Sequence, residues 1–199
     1  FNAPETYMDK IATKVKDKNI IDLDFSVKKN INNLAEYKNK RPEDLTACIL
    51  DRPRHKKIIN ELNNLGVKLK LITDGDVSGA LLVTEEKYGV DIFLGVGGGP
   101  EGVLAASALD AFDCNFQGRF IFESDKDKSR ALSMGIKDFN KKYELNEIIS
   151  GDSIFCATGI TSGDLVSGIK IENDEFLSET LITHKSQGLK KVMKIKQKI

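Results

Sequence analysis

Two arginines stand close together after a predicted strand, in a chain that otherwise prefers lysine. Only five of the 30 basic residues in the 199-residue chain are arginines, yet Arg52 and Arg54 flank Pro53. A guanidinium group can bind a phosphate through two parallel hydrogen bonds, which an ammonium group cannot do. The segment from Arg52 to Arg54 is therefore a candidate phosphate site, with salt bridges at a helix start as the alternative. The adjacent His55 could act as an acid or a base, but a single histidine at a helix start is more often simply exposed.

A second polar segment, Asp74-Gly75-Asp76, follows the next predicted strand. Ligands of open α/β sheets bind at the carboxyl ends of the strands, which is where these residues are expected to lie. Two carboxylates separated by one glycine can accept hydrogen bonds from the hydroxyl groups of a sugar, or they can bind a hard cation. The same three residues are also common in ordinary turns, so the pattern leaves all three interpretations open.

The glycine-rich segment from Gly95 to Gly102 follows a predicted strand and opens a predicted helix. Its backbone amides could approach an anion without obstruction by side chains. The segment lacks the Gly-Lys-Ser/Thr of a nucleoside triphosphate loop, and Pro100 replaces the last glycine of a dinucleotide fingerprint, so ATP and NAD are both disfavoured. Glu101 falls in the first turn of the helix, where it could hold a metal ion or simply pair with the helix dipole.

Two further groups near the carboxyl terminus offer weaker signals. The hydroxyl groups of Thr158 and Thr161 could line a pocket, but satisfying the backbone of a glycine-flanked turn is the simpler interpretation. Cys156 would need a histidine base and a positive field to act as a nucleophile, and the neighbouring sequence offers neither.

The elements that must position these residues alternate between strands and helices, which predicts an α/β layered domain with some parallel pairing. The later segments predict antiparallel pairing and an edge strand protected by lysines. No internal domain boundary is indicated. The predicted helices span residues Pro4–Lys14, Ser26–Tyr37, Arg54–Leu65 (closed by Gly66), Val77–Thr84 and Pro100–Phe112, with one more within the charged stretch Arg119–Glu144. The predicted strands span Thr46–Leu50, Val67–Ile72, Val90–Leu94, Ser153–Ala157, Leu165–Ile171 and Glu179–Thr183, with a last strand after the turn at Lys185–Gly188.

Composition bounds the remaining possibilities. Basic and acidic residues balance at 30 each, so no overall field draws the chain to nucleic acid or to an anionic membrane. We find no apolar run long enough to span a bilayer and no signal peptide, which predicts a soluble, cytoplasmic protein. The three cysteines, Cys48, Cys114 and Cys156, are predicted to be reduced core residues. Because the first residue is Phe1, we expect the chain to begin inside a longer reading frame.

Taken in order along the chain, five segments resemble the class II (GlpX-type) fructose-1,6-bisphosphatase family. They cover nearly the whole chain and are Asn2–Met8, Arg52–His55, Asp74–Val77, Gly97–Leu104 and Phe155–Leu165. Each segment alone is weak, whereas the ordered set is specific. Gly99 stands where many members of the family have alanine. The resemblance implies that a sugar bisphosphate is contacted by Tyr7, Arg52, Pro53, Arg54, Asp74, Gly75, Asp76 and Gly98, and that Glu101 binds a metal ion.

The resemblance also carries expectations for fold, chemistry and assembly. It implies a layered α/β sugar-phosphatase fold related to inositol monophosphatases, with residues 1–199 as the carboxyl-terminal portion, and a homo-oligomer. It implies a place in gluconeogenesis and glycerol metabolism, through hydrolysis of fructose 1,6-bisphosphate to fructose 6-phosphate by a water activated by Mn²⁺ or Mg²⁺. The family's other metal carboxylates belong to a segment expected before Phe1. Two alternatives follow, namely activity on sedoheptulose 1,7-bisphosphate and a non-catalytic phosphosugar-binding role for these 199 residues alone.

Overall fold

A computed structural model describes residues 3–15 and 17–198, and within them it contains ten strands and six α-helices. Asn2, the first residue of the resembling segments, lies outside the described residues. The strands are β1 Tyr7–Thr13, β2 Thr46–Leu50, β3 Lys68–Ile72, β4 Ile92–Gly98, β5 Asn115–Ile121, β6 Lys142–Glu144, β7 Ile154–Thr158, β8 Lys170–Glu172, β9 Glu175–His184 and β10 Leu189–Lys198. The helices are α1 Val27–Tyr37, α2 Lys56–Asn64, α3 Asp76–Leu81, α4 Gly99–Ala111, α5 Asp125–Ser133 and α6 Leu145–Ile148.

Six strands form a mixed sheet in the order β3-β2-β4-β1-β5-β6. β2 pairs in parallel with both β3 and β4, whereas β1 runs antiparallel to β4 and β5. The three parallel strands therefore end where β1 begins. We call this end of the sheet, with residues 51–55, 73–76 and 98–101 and the start of β1, the site end, and the opposite end the far end. The predicted α/β class with some parallel pairing is confirmed.

Helices cover both faces of this sheet, and a second sheet adds a further layer. α1 and α2 bury Ile31, Leu34 and Leu62 against one face. α3 and α4 cover the other face, and α4 also contacts β7 and β9 of the second sheet. A helix held between two sheets needs apolar residues all round, and the alanine-rich sequence of α4 meets this requirement. The layered architecture that the resemblance implied is thus the one observed.

The predicted helix at Pro4–Lys14 is wrong, because β1 occupies this segment. β1 pairs along its whole length with β4 on one side and β5 on the other. Ile11 and Ala12 are both fully buried although they point to opposite faces of the sheet. A strand covered on both faces loses the alternation of polar and apolar residues that identifies a half-exposed strand. Pro4 favours a helical interpretation, because proline is common in the first turn of a helix.

Most other predicted elements are confirmed with shifted ends. Ser26 caps α1 by accepting a hydrogen bond from the backbone of Lys29 at 3.2 Å. The helix predicted from Arg54 begins at Lys56, because residues 53–55 form a 3₁₀ turn. The helix predicted at residues 77–84 is α3, which ends three residues earlier. β4 continues through the first glycines of the glycine-rich segment to Gly98.

The carboxyl-terminal region forms the predicted antiparallel sheet, with β10 as a lysine-rich strand at one edge of the order β10-β9-β7. The strand predicted at residues 165–171 is confirmed only at its last two residues, where β8 begins, and is wrong for residues 165–169. The preceding loop uses side chains to bind its backbone amides: Ser167 N donates to Glu179 at 2.7 Å, and Gly168 N to Ser162 at 2.9 Å. These local bonds replace the pairing that a longer strand would need.

The three cysteines are free thiols, as predicted, but only two belong to the core. Cys48 and Cys114 are buried, and burial raises the pKa of each thiol to about 12. Cys156 is exposed because it lies on the outer face of β7, so its predicted core position is wrong. None of the helices among residues 3–15 and 17–198 is long and apolar enough to cross a membrane.

Candidate functional site

The fold brings the candidate residues of four separate segments to the site end of the sheet. β2 and β3 end side by side, with Leu50 paired to Ile72, so the loops that follow them are neighbours. β1 begins at Tyr7, which pairs directly with Gly98 at the end of β4. The arginines, the aspartates, Tyr7 and the glycine-rich helix start therefore share one end of one sheet, rather than being scattered over different faces.

Arg54 and Tyr7 are in direct contact. The guanidinium carbon of Arg54 lies 5.0 Å from the centroid of the Tyr7 ring, a distance typical of a cation–π interaction. Arg54 Nε donates a hydrogen bond to the backbone oxygen of Val96 at 2.9 Å. One edge of the guanidinium group is thus fixed to β4. Because Arg54 and Tyr7 are both exposed, a phosphate from solvent can reach the remaining donors.

Asp76 is held by a lysine that the sequence analysis did not single out. Lys10, in the middle of β1, forms an ion pair with Asp76 Oδ2 and donates to the backbone oxygen of Gly98 at 2.9 Å. Burial lowers the pKa of Lys10, whereas the carboxylates of Asp76 and Glu101 act against this shift. The ion pair therefore ties the loop after β3 to the end of β4. It also brings a buried positive charge beneath the candidate site.

Two glycines make room for the carboxylates at this end. A Cβ atom on Gly97 would lie 2.5 Å from Asp76 Oδ2, and one on Gly98 would collide with the carboxylate of Glu101. Any side chain at either position would displace a carboxylate. Close packing therefore favours glycine at position 97, where Asp76 is held by Lys10, whereas the exposed Glu101 could move away from a side chain at position 98.

Glu101 lies in the first turn of α4, as predicted, and is exposed. It borders a cleft of about 410 Å³ next to Tyr7 and Gly98. The cleft is lined by Glu5, Thr6, Tyr7, Gly98, Pro100, Glu101, Glu123 and Asp127. Four of these eight residues carry carboxylates, and one of the four, Glu5, is paired with Arg130 at 2.9 Å. The lining of the cleft is therefore mostly acidic.

The other candidate residues make local contacts. Arg52 Nη1 donates to the backbone oxygen of Asp51 at 3.2 Å, and Pro53 occupies the start of the 3₁₀ turn. Asp74 Oδ1 accepts a bond from Gly75 N at 2.8 Å, which is ordinary turn chemistry. Gly75 has a φ of +86° at the start of α3, a conformation that favours glycine. Their positions at the site end are consistent with binding, but their contacts are those of the loops themselves.

His55 is buried rather than exposed, which corrects the expectation for a histidine at a helix start. Its Nε2 accepts a hydrogen bond from Val96 N at 2.8 Å, so the proton is on Nδ1, which donates to Leu50 O at 2.7 Å. Burial lowers the pKa of His55, so the neutral form is favoured. Both ring nitrogens are occupied in joining β2 to β4, which leaves no atom for acid–base chemistry.

Sequence reasoning missed Lys10 and Asp9, both on β1. Asp9 is half-buried and pairs in register with Val96, and burial raises its pKa. Assigning a helix to this segment hid the fact that these side chains point to opposite faces of a central strand. The β-branched residues Ile11 and Thr13 were the signal for a strand.

The described residues do not supply a full set of metal ligands. Within residues 3–15 and 17–198, no group of three or more His, Cys, Asp or Glu side chains is arranged to hold a metal ion. Mg²⁺ and Mn²⁺ prefer about six oxygen ligands, and Glu101 offers a single carboxylate. The described residues alone therefore do not make up a site for either metal.

The Thr158 hydroxyl group is bonded to that of Thr180 at 2.8 Å, within the second sheet. This contact favours the structural interpretation of Thr158. Thr161 lies in the loop after β7, whose backbone packs against Gly168.

Comparison with known proteins decides the family of the chain. Residues 1–197 match the family model described as bacterial fructose-1,6-bisphosphatase, glpX-encoded. The chain belongs to this family. The fructose-1,6-bisphosphatase class 2 of Haemophilus influenzae is 36% identical over 208 residues, covering 97% of this chain and 62% of that protein. The D-fructose 1,6-bisphosphatase class 2/sedoheptulose 1,7-bisphosphatase of Synechococcus sp. (strain JA-3-3Ab) is 35% identical over 194 residues, covering 91% of this chain and 56% of that protein.

This member of the GlpX-type family spans about 56 to 62% of the length of these relatives. The match begins at Phe1, ahead of Tyr7, and includes every candidate residue at the site end. The resemblance drawn from the sequence motifs is therefore confirmed at the level of the family.

Proposed function

We propose that the complete protein removes the phosphate at C1 of fructose 1,6-bisphosphate, and that this chain supplies its sugar-phosphate-binding portion. The observation that carries the proposal is the convergence of Tyr7, Arg54, Asp76 and Gly98 on one end of one sheet. Family membership and the names of the relatives support the same reaction.

The site end offers a different chemistry for each part of such a substrate. Arg54, fixed through Nε and stacked on Tyr7, presents its other nitrogens to the phosphate that remains on the product, with Arg52 from the same loop. Asp76 and Asp74 accept hydrogen bonds from the sugar hydroxyl groups. A substrate that carries both groups is bound at several points, which fixes its orientation for reaction.

The metal in this proposal is Mn²⁺ or Mg²⁺, with Glu101 as one of its ligands. The acidic cleft beside Glu101 supports this assignment, because an anionic substrate would otherwise be repelled there. Bound metal would supply an activated water and neutralise charge on the phosphate. The other ligands would come from residues outside those described.

An activity assay tests the proposal. The complete protein should release phosphate from fructose 1,6-bisphosphate when Mn²⁺ or Mg²⁺ is supplied, and should lose this activity when the metal is chelated. Absence of metal-dependent turnover would contradict it. The 199-residue chain alone is expected to bind fructose 6-phosphate without turnover, and measurable hydrolysis by this chain would show that expectation to be wrong.

Sedoheptulose 1,7-bisphosphate is the second candidate substrate. Several relatives from cyanobacteria carry a name that includes both activities, among them one from Synechocystis that is 33% identical over 195 residues. A site that holds a phosphate and neighbouring hydroxyl groups can accept a sugar one carbon longer at a modest cost. Comparing kcat/KM for the two substrates decides between them. We also propose a homo-oligomer in the cytoplasm, which size measurements of the purified protein and localisation of a tagged copy would test.

Substitution of Arg54 by lysine tests the phosphate contact. Lysine cannot keep both the bond to Val96 and a two-point contact with phosphate, so affinity for fructose 6-phosphate should fall by about 1 to 3 kcal/mol. The matched control is Arg41→Lys, an exposed arginine paired with Asp44 away from the site end, which should leave affinity unchanged. Equal affinities for the wild type and Arg54→Lys would return Arg54 to a structural role.

A further inference from the structure

Lys10 is an unusual residue for the middle of a central strand. Its side chain is only 1% exposed, and a buried ammonium group is costly unless it is paired and hydrogen-bonded. Two partners meet this requirement, namely Asp76 Oδ2 and the backbone oxygen of Gly98. Both partners belong to segments that the resemblance assigns to substrate binding, whereas Lys10 itself carries no assigned role.

Only one of the two carboxylate oxygens of Asp76 has a hydrogen-bond partner among the described residues. Asp76 Oδ2 accepts from Lys10, but Asp76 Oδ1 is buried and has no hydrogen-bond partner among the described residues. A buried carboxylate oxygen without a partner is unfavourable, so it calls for a donor from outside the described residues. The position of Asp76 at the site end makes a ligand the natural source of that donor.

A purely structural lysine–aspartate pair elsewhere in the chain looks different. Lys142 donates to both carboxylate oxygens of Asp22, at 2.6 Å each, and also to Asp24 at 2.9 Å. There, no oxygen of Asp22 is left over. The Lys10–Asp76 pair instead engages one oxygen and leaves the other, and the carboxylate occupies space that a side chain at position 97 would fill.

We propose that Lys10 is a positioning residue that fixes Asp76 through Oδ2, so that Oδ1 is left to accept a hydrogen bond from a sugar hydroxyl group. This inference rests on the proposed function. Besides Asp76, the charged groups that act on Lys10 are Glu101 and Arg54. The charge of Lys10 in turn lowers the pKa of Asp9, its neighbour on the same strand, against the larger effect of burial. Lys10 thus acts on the sugar through Asp76, without touching the phosphate.

Substitution of Lys10 by methionine, which has a similar length and no charge, tests the inference in the complete protein. The probes are inorganic phosphate and fructose 6-phosphate, with affinities measured by calorimetry. Wild type should bind fructose 6-phosphate more tightly than inorganic phosphate. In Lys10→Met, affinity for fructose 6-phosphate should fall about tenfold, while affinity for inorganic phosphate should fall by a smaller factor, because the arginines are untouched and only the charge of Lys10 is lost. A merely structural role would move both affinities together or neither.

The matched control is Lys142→Met, which removes a lysine paired with Asp22 and Asp24 on the outer strand β6, two strands away from Lys10. It should lower stability without changing the ratio of the two affinities. If the wild-type protein binds fructose 6-phosphate no better than inorganic phosphate, the proposed function is overturned. If the wild-type protein prefers fructose 6-phosphate and Lys10→Met keeps this preference, only the role of Lys10 is overturned.

A measurement on the wild type keeps the inference testable if Lys10→Met does not fold. With ¹³C-labelled aspartate, the carboxyl resonance of Asp76 can be assigned by its loss in Asp76→Asn. It should move when fructose 6-phosphate is added and stay in place when inorganic phosphate is added, while the ¹⁵N signal of the Lys10 ammonium group persists. A carboxyl signal that does not respond to the sugar phosphate, or loss of the Lys10 signal on binding, would overturn the inference.

Discussion

Two aspartates at opposite ends of the same sheet are paired with lysines in different ways. At the far end, Asp91 Oδ1 accepts from Lys38 at 2.7 Å and from Lys40 at 3.1 Å, and its Oδ2 accepts from Thr46 N at 2.9 Å. At the site end, Asp76 uses one oxygen and leaves the other. All oxygens of Asp91 are bonded within the fold, whereas the buried oxygen left over on Asp76 needs an explanation, which the proposed sugar contact supplies.

Cavity size alone would point to the other end. The cleft beside Asp91 measures about 680 Å³, against about 410 Å³ for the cleft beside Glu101. Six of the eight residues that line the smaller cleft belong to two of the resembling segments, Asn2–Met8 and Gly97–Leu104. The state of the buried hydrogen-bonding groups therefore distinguishes the two ends better than volume does.

The largest effect is expected from Asp91→Ala, which removes the shared partner of two lysines and a backbone amide. Burial alone would raise the pKa of Asp91, but hydrogen bonds from Lys38 and Thr46 lower it, so its contribution to stability is present above pH 3.8 and is lost as the pH falls further. At pH 7 the variant should lose about 3 kcal/mol of unfolding free energy, the low end for a broken buried pair, because both lysines keep some contact with water. Urea denaturation measures this loss.

The control is Asp44→Ala, which removes an exposed carboxylate from the same end of the sheet and should cost far less stability. Affinity for fructose 6-phosphate should be unchanged in both variants. If folded Asp91→Ala bound fructose 6-phosphate more weakly than the wild type does, the far end and the site end of the sheet would not be separate in function.

A smaller effect, on binding, is expected from Gly97→Ala. The added methyl group would lie 2.5 Å from Asp76 Oδ2, so the carboxylate must leave its position and its free oxygen must turn away from the ligand. Affinity for fructose 6-phosphate should fall about tenfold, or about 1.4 kcal/mol, by calorimetry.

Gly89→Ala is the opposite case, at the far-end cleft. Gly89 has a φ of +65° with nothing within 4 Å of an added Cβ, so the change should cost about 1 kcal/mol of stability through backbone strain and nothing in affinity. If Gly97→Ala bound the sugar phosphate as tightly as wild type does, the position of Asp76 would not matter for binding.

The loops of the site could be predicted from sequence because their residues combine turn chemistry with unusual composition. Arg52 and Arg54 stand out among lysines, and Asp74-Gly75-Asp76 and the glycine-rich segment fall directly after strands that apolar runs predict well. Parallel strands then place their ends together without further information. The roles of these residues in binding remain predictions.

The buried support of the site could not be predicted in the same way. Lys10 lies on a strand covered on both faces, where no periodicity identifies a strand and where a lysine is normally assigned to the surface. His55 was also expected at the surface, because the sequence does not show that Leu50 O and Val96 N lie on either side of its ring. Partners brought together by long-range packing carry no local signal in the sequence.

The effect of His55 is confined to acid pH, and it tests whether burial keeps this histidine neutral in the folded protein. Because burial lowers its pKa in the folded state, the unfolded chain takes up a proton below pH 6.5 that the folded chain resists. Stability therefore falls as the pH drops below 6.5, by at most about 1.4 kcal/mol per pH unit for this one proton. In His55→Gln this part of the slope should disappear, while the two proteins should show parallel slopes above pH 7.5. Urea denaturation across pH 5 to 8 measures both slopes, and an unchanged acid slope in His55→Gln would mean that His55 takes up its proton in the folded protein as well.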